Sequence, residues 1–389
     1  MTLRRPAGVL LAWTAFVVLV QRWPSWEEGI RVEFAADAQF YELIARAAPG
    51  LPDTDVLRAY AQRFPAHWLV GVLHDITGIG LHALYRAATA VCVALALLAL
   101  HRALTSLELD LRGHALALGA FAASAYPVHY LLAAPGMLSD AVFVLGLSVL
   151  LLGFVRGRLA VAVLGIAVAA LGRQTALPVA AAAGVWAAFH PAWRDRRGIA
   201  VAALVAVPAG LYVALHILSD PFSQPRDAGV DDLTVLGFLT SARDFGEHVG
   251  LVVLGIAVPA ALVAGAWIRR GGPPPWGPLL VAAAVVAQPL LLGPLANASN
   301  EPRLAGLAAP ALALAAGTLL SGAVLGRGET VVCAAAIAVG GLHHRYTIAG
   351  PAPNVGWAVV ELAAALLVLL VLARPALVRE PRPAGVRRT

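Results

Sequence analysis

The chain contains no lysine: all 28 of its basic residues are arginine. We read this as the coding bias of a GC-rich, bacterial source, so the net charge of +6 is weak evidence for a nucleic-acid partner, and none is expected. Charge of either sign is scarce. Charged residues are 13% of the 389 positions against 60% hydrophobic, with a mean hydropathy of +0.79, which excludes a soluble domain with a solvated surface. Cysteine is nearly absent too. Cys92 and Cys333 both lie inside apolar runs, which excludes a disulfide framework and a cysteine metal centre. No repeat of 20 to 50 residues is visible, which excludes a solenoid.

What remains is long apolar runs, and the expected fold is all-α and polytopic. Runs of about 17 to 25 residues cross the hydrocarbon as helices, and about twelve can be drawn. They fall near 6 to 22, 80 to 104, 113 to 133, 137 to 155, 158 to 172, 174 to 190, 197 to 219, 247 to 268, 276 to 294, 303 to 325, 329 to 347 and 354 to 374. Arg4 and Arg5 before the first run resemble a signal peptide, but Gln21-Arg22-Trp23-Pro24 offers no small-residue cleavage site, so that run is taken as an uncleaved span. One transmembrane domain is expected over 1-374, with a basic cytoplasmic tail at 375-389.

The segment at 65 to 78 decides the orientation. It carries His67, His74 and Asp75 and is either a poor span or a helix in the interface. If it does not cross, 17 of the 28 arginines face the cytoplasm along with both termini; if it does, every later arginine pair is turned outward, against the positive-inside tendency. It is therefore read as interfacial. Tryptophans fit this frame: Trp23, Trp26, Trp68, Trp186, Trp193, Trp267, Trp276 and Trp357 lie at or near span ends, and only Trp13 is mid-span. Two outer loops are then long, 23-79 and 220-246. In the first, Asp37, Tyr41 and Ile44 and then Val56, Tyr60 and Arg63 recur at helical spacing, which predicts two short interfacial helices.

In this frame Asp37, Asp140, Arg173, Glu301 and Arg303 all reach the outer face. Polar residues beside a bilayer core are costly, so a convergent set points to an extracytoplasmic site. Arg86 and Glu361 each lie about two turns below that surface and read as a structural ion pair. His67, His129, His343 and His344 have no ligand spacing and read as satisfied structural residues.

Ala35-Ala36-Asp37-Ala38-Gln39-Phe40-Tyr41, followed by Ala59-Tyr60-Ala61-Gln62-Arg63-Phe64-Pro65, resembles the first outer loop of the GT-C superfamily of membrane glycosyltransferases. Looser matches follow in order: Tyr126-Pro127 with Ser139-Asp140, Leu171-Gly172-Arg173-Gln174-Thr175-Ala176, and Asn300-Glu301-Pro302-Arg303 before a helix containing Pro310. The resemblance implies transfer of a sugar from a polyprenyl-phosphate carrier to a glycan, lipid or protein acceptor outside the bacterial plasma membrane. It makes Asp37 the expected catalytic residue. No cofactor is expected, and a divalent metal has no support.

The residues carry the same chemistry. An acceptor hydroxyl needs a base, which Asp37 can supply, although a solvated loop acid or helix cap is the alternative for it. The departing phosphate needs countercharge, and Arg63, Arg173 and Arg303 offer forked donors. Against this stand snorkelling for Arg63 and Arg303 and a structural pairing of Arg173 with Asp140 or Glu301. Tyr41, Arg63, Asp140, Arg173, Gln174, Glu301 and Arg303 form the expected binding set, with no metal ligand among them. Competing readings are a multi-span transporter or flippase, a ligase or polymerase of lipid-linked glycans, and a non-catalytic scaffold. Transporters tend to place polar sites near the midplane at broken helices.

Overall fold

A computed structural model describes residues 4–22, 38–53, 55–224, 242–297, 301–342 and 355–377. Every extended element among them is helical, as the apolar runs require: buried in lipid, a backbone must satisfy its own hydrogen bonds. Helix α1 (Arg4–Arg22) is followed by a cap of three helices, α2 (Ala38–Ala47), α3 (Arg58–Ala61) and α4 (Phe64–Thr77). Next come α5 (Leu81–Thr105), α6 (Leu111–Ala122), a π turn over Ala125–Tyr130, α7 (Leu131–Ala133), α8 (Leu138–Val155), α9 (Leu159–Gly172), α10 (Ala176–Ala188) and α11 (Arg197–Ser219). The rest are α12 (Ala242–Arg270), α13 (Trp276–Asn297), α14 (Glu301–Gly306), α15 (Ala309–Leu320), α16 (Arg327–Gly340) and α17 (Val355–Leu377).

Five helical stretches among the described residues are long and apolar enough to cross a membrane, namely Leu81–Thr105, Pro135–Val155, Pro191–Phe222, Val249–Arg270 and Ala358–Pro375. A sixth is reached if α6 and the segment after it, bent by 55° at Ala123-Ser124, count as one span. Several expected spans are shorter than the sequence suggested. Helices α9, α10 and α15 have 14, 13 and 12 residues, and at about 1.5 Å per residue they fall short of a hydrocarbon core about 30 Å thick. The apolar runs continue past the helix ends, but prolines and glycines stop the helices: Pro191 follows α10, and Pro310 restarts the run expected at 303 to 325 as a separate helix.

Successive helices alternate in direction, so their ends gather at two poles. At one pole Trp193 donates to the Gly157 carbonyl, Arg156 to Ser106, Arg269 to Glu329 and Arg270 to the Thr318 carbonyl. Most arginines of the described residues sit there, as the charge count anticipated. The cap occupies the other pole. Helix α4, with 14 residues, packs on α2 and α5 rather than running as a span. The second helix expected in the first outer loop is only the single turn α3, and Val56 instead pairs with the start of the second loop, Val56 N donating to Phe222 O at 2.8 Å and Gln224 N to Val56 O at 2.9 Å. Residues 23-37 and 225-241 of the two loops, and the tail beyond 377, lie outside the described residues; the last helix runs three residues past the boundary expected at 374.

Candidate functional site

Helices α8 and α9 approach so closely that glycine is required where they touch. A Cβ on Gly172 would lie 2.5 Å from the Ser139 carbonyl oxygen and 2.6 Å from the Phe143 nitrogen, and one on Gly146 would strike the Ala169 backbone. That contact delivers Arg173, the residue after α9, to Asp140 in the first turn of α8, where a helix N-terminus favours a carboxylate. Arg173 Nη1 donates to Asp140 Oδ1, and the side chains are 4% and 1% exposed. From the short helix α14, Arg303 brings its Nε to 3.7 Å from the second oxygen, Asp140 Oδ2. Its Nη1 donates to Met137 Sδ at 3.3 Å and to the Tyr130 hydroxyl at 3.5 Å, with the guanidinium 5.9 Å from that ring.

The cap supplies the third arginine. Arg63, at the N-terminal boundary of α4, donates from Nη1 to the Tyr41 hydroxyl and from Nε to Gln174 Oε1, both at 3.0 Å. The Tyr41 hydroxyl also accepts from Ser139 at 3.3 Å, linking cap to bundle. Gln174 in turn donates to Gln62 Oε1 at 2.9 Å and to the Ala59 carbonyl at 3.1 Å, and the Gln62 amide contacts His216 Nδ1 of α11 at 2.8 Å.

The Tyr41 ring lies flat on the His67 imidazole, centroids 3.9 Å apart and planes 4° from parallel. The Tyr85 hydroxyl donates to the Tyr41 carbonyl at 3.2 Å, so the 2.9 Å bond between Tyr85 and His67 Nδ1 is donated by the histidine. His67 therefore carries a proton on Nδ1. Desolvation, helped by the charge of Arg63 and opposed by Asp140, lowers its pKa from 6.5 to about 3.

The expected binding set is thus largely gathered at one pole: Tyr41, Arg63, Asp140, Arg173, Gln174 and Arg303 form one connected cluster. Glu301 is buried two residues before Arg303 on the same helix. Asp37 lies outside the described residues. Snorkelling is overturned for Arg63 and Arg303, which are 8% and 7% exposed and hold partners within the protein. Arg86 is exposed on α5, and Glu361 lines a small cavity with Ser124, Gly255, Pro259, Gly340 and Gly341 beside the break after α6. Tyr85, Tyr130, Met137 and Gln62 were not foreseen as members. Gln62 stands next to Arg63 in the sequence, which was a signal for it; nothing in the spacing announced Tyr85, Tyr130 or Met137. Among the described residues no group of three His, Cys, Asp or Glu is placed to hold a metal ion.

The electrostatics are unbalanced. Among the described residues three buried guanidiniums, Arg63, Arg173 and Arg303, meet two buried carboxylates, Asp140 and Glu301. Arg173 Nε is buried without a hydrogen-bond acceptor among them. A buried N–H of this kind costs about 1 to 3 kcal/mol, more when charged, unless something accepts from it. No family model, no curated protein and no solved structure matches the chain.

Proposed function

We propose that this protein is a membrane glycosyltransferase of the GT-C kind that moves a sugar from a polyprenyl-phosphate carrier to an acceptor at the cap pole. The observation that carries the reading is the cationic surplus of Arg63, Arg173 and Arg303 around Asp140, with the Arg173 Nε–H left to be satisfied. A phosphate on a lipid tail presents anionic oxygens at the level of helix ends, and guanidinium forks match such oxygens in pairs. Asp140 holds Arg173 and Arg303 in place, and the Tyr41–Ser139 and Arg63–Gln174 contacts tie the cap to the bundle over them. Asp37, the residue before α2, is the proposed general base that takes the acceptor proton as the sugar leaves its phosphate.

In this reading all twelve apolar runs cross or nearly cross the bilayer of a bacterial plasma membrane, the short ones accommodated by local thinning of the bilayer. The arginine pole and both termini face the cytoplasm and the cap faces outward. A transporter or flippase is the second reading, and one observation favours it: the helix broken at Ala123-Ser124 lies against the buried carboxyl of Glu361. Mass spectrometry of lipid co-purifying with the protein separates the two. Co-purified polyprenyl phosphate or its sugar adduct, with sugar transfer to an added acceptor, supports the transferase; solute movement across vesicles without transfer supports the transporter.

A further inference from the structure

The arginine pole carries a cavity that the proposed reaction does not use. It encloses about 400 Å³ and is lined by Arg269, Arg270, Ser321, Gly322, Val324 and Pro375, where the ends of α12, α15 and α17 meet. That volume falls within the ~300 to 1,000 Å³ of small-molecule sites. Its two arginines differ. Arg269 is committed, forked onto Glu329 through two 3.1 Å contacts and also donating to the Val324 carbonyl at 2.7 Å. Arg270 is exposed and spends only Nη1, on the Thr318 carbonyl at 2.7 Å, so the rest of its fork is available at the cavity. Glu329 carries the influence of two arginines there, Arg269 in contact and Arg374 through its charge.

An exposed valine lines the cavity, and a tryptophan outside the lining stands on the same helix as Arg270. Val324 is 85% exposed, and Trp267, one turn before Arg270, is 47% exposed with its indole N–H donated to the Gly272 carbonyl at 2.7 Å. A soluble phosphate would gain nothing from an exposed valine and an interfacial tryptophan. A phospholipid would, because its headgroup phosphate meets the arginines while its acyl chains meet these two side chains. We infer that this cavity is a binding site for the phosphodiester headgroup of an anionic phospholipid, held by Arg270 against a wall fixed by the Arg269–Glu329 pair.

The test is native mass spectrometry of the purified full-length protein offered dioleoylphosphatidylglycerol, dioleoylphosphatidylcholine or soluble sn-glycerol 3-phosphate. One phosphatidylglycerol should be retained well above phosphatidylcholine. A charge-assisted hydrogen bond is worth about 1.5 to 3 kcal/mol, so Arg270→Gln should weaken that retention by about 10- to 150-fold. Arg156→Ala, which removes an arginine of the same pole bonded to Ser106 instead, should leave it unchanged. Val324→Asn should lower lipid retention while leaving the melting temperature at the wild-type value. Equal loss in Arg270→Gln and Arg156→Ala, wild-type retention in Arg270→Gln or Val324→Asn, or displacement of the lipid by an equal concentration of sn-glycerol 3-phosphate would each overturn the assignment.

Discussion

Arg173 reaches Asp140 because the residue before it has no side chain: the Cα of Gly172 rests against the backbone of Ser139 and Phe143. A methyl at Gly172 would meet backbone, which cannot rotate away, so Gly172→Ala must part α8 from α9 at the site. Overpacking of this kind costs about 1 to 3 kcal/mol. A fall in the thermal unfolding temperature in detergent, with loss of transfer activity, is expected; Gly198→Ala, where nothing lies near the added methyl, should lower neither.

Asp140 is expected to matter through charge. Asp140→Asn leaves buried guanidiniums without their shared carboxylate, and breaking one side of a buried pair costs about 3 to 5 kcal/mol. The double variant Asp140→Leu with Arg173→Met removes both charges and should be less destabilised than Asp140→Asn. Thermal unfolding of the three proteins checks this order. An added short-chain polyprenyl phosphate should raise the melting temperature of Asp140→Asn, since it brings back a negative charge.

The neutral His67 gives the cap a pH dependence of known sign. With its pKa lowered to about 3 in the folded protein and near 6.5 when unfolded, the unfolded chain binds more protons between these values. Its contribution is therefore fully present above pH 6.5 and is lost as pH falls toward 3, at about 1.4 kcal/mol per unit. Melting temperatures measured from pH 7.5 to 5 should fall for the wild type and fall less for His67→Phe, which keeps a ring on Tyr41 but cannot take a proton. Identical slopes would remove His67 from the cap's titration.

Much of this arrangement was legible in the sequence, and the reason is the bilayer. Arg156, Arg158, Arg194, Arg196, Arg269 and Arg270 gather at one pole because hydrocarbon excludes charge. The same constraint made Asp140, Arg173 and Arg303 conspicuous in otherwise apolar stretches. Helix ends were less legible. The run at 113 to 133 reads as one span, yet the helix stops at Ala122 and bends, because the ending depends on packing at Ala123-Ser124 and Pro127 rather than on hydropathy. Partners were least legible. Nothing in the spacing of Arg63 and Gln174, 111 positions apart, announces their hydrogen bond.

Sidedness is open to chemical labelling. In a variant lacking Cys92 and Cys333, a single cysteine at exposed Asp53 should react with a membrane-impermeant thiol reagent in intact cells, and one at exposed Arg196 should react only after lysis. Labelling at Arg196 in intact cells would invert the orientation and put the cap on the cytoplasmic side.

In the proposed function, the arginine cluster at the cap pole exists to hold a lipid-linked phosphate. Affinity for a short-chain polyprenyl phosphate, measured on purified wild type, Arg173→Lys and Arg173→Ala, tests it most directly. Arg173→Lys keeps the charge and loses the fork, so it should bind more weakly than wild type, and Arg173→Ala should bind about 10- to 150-fold more weakly, the worth of one charge-assisted hydrogen bond of roughly 1.5 to 3 kcal/mol. Equal affinity in all three proteins, each folded as judged by its melting transition, would contradict the claim and leave Arg173 as the structural partner of Asp140 alone.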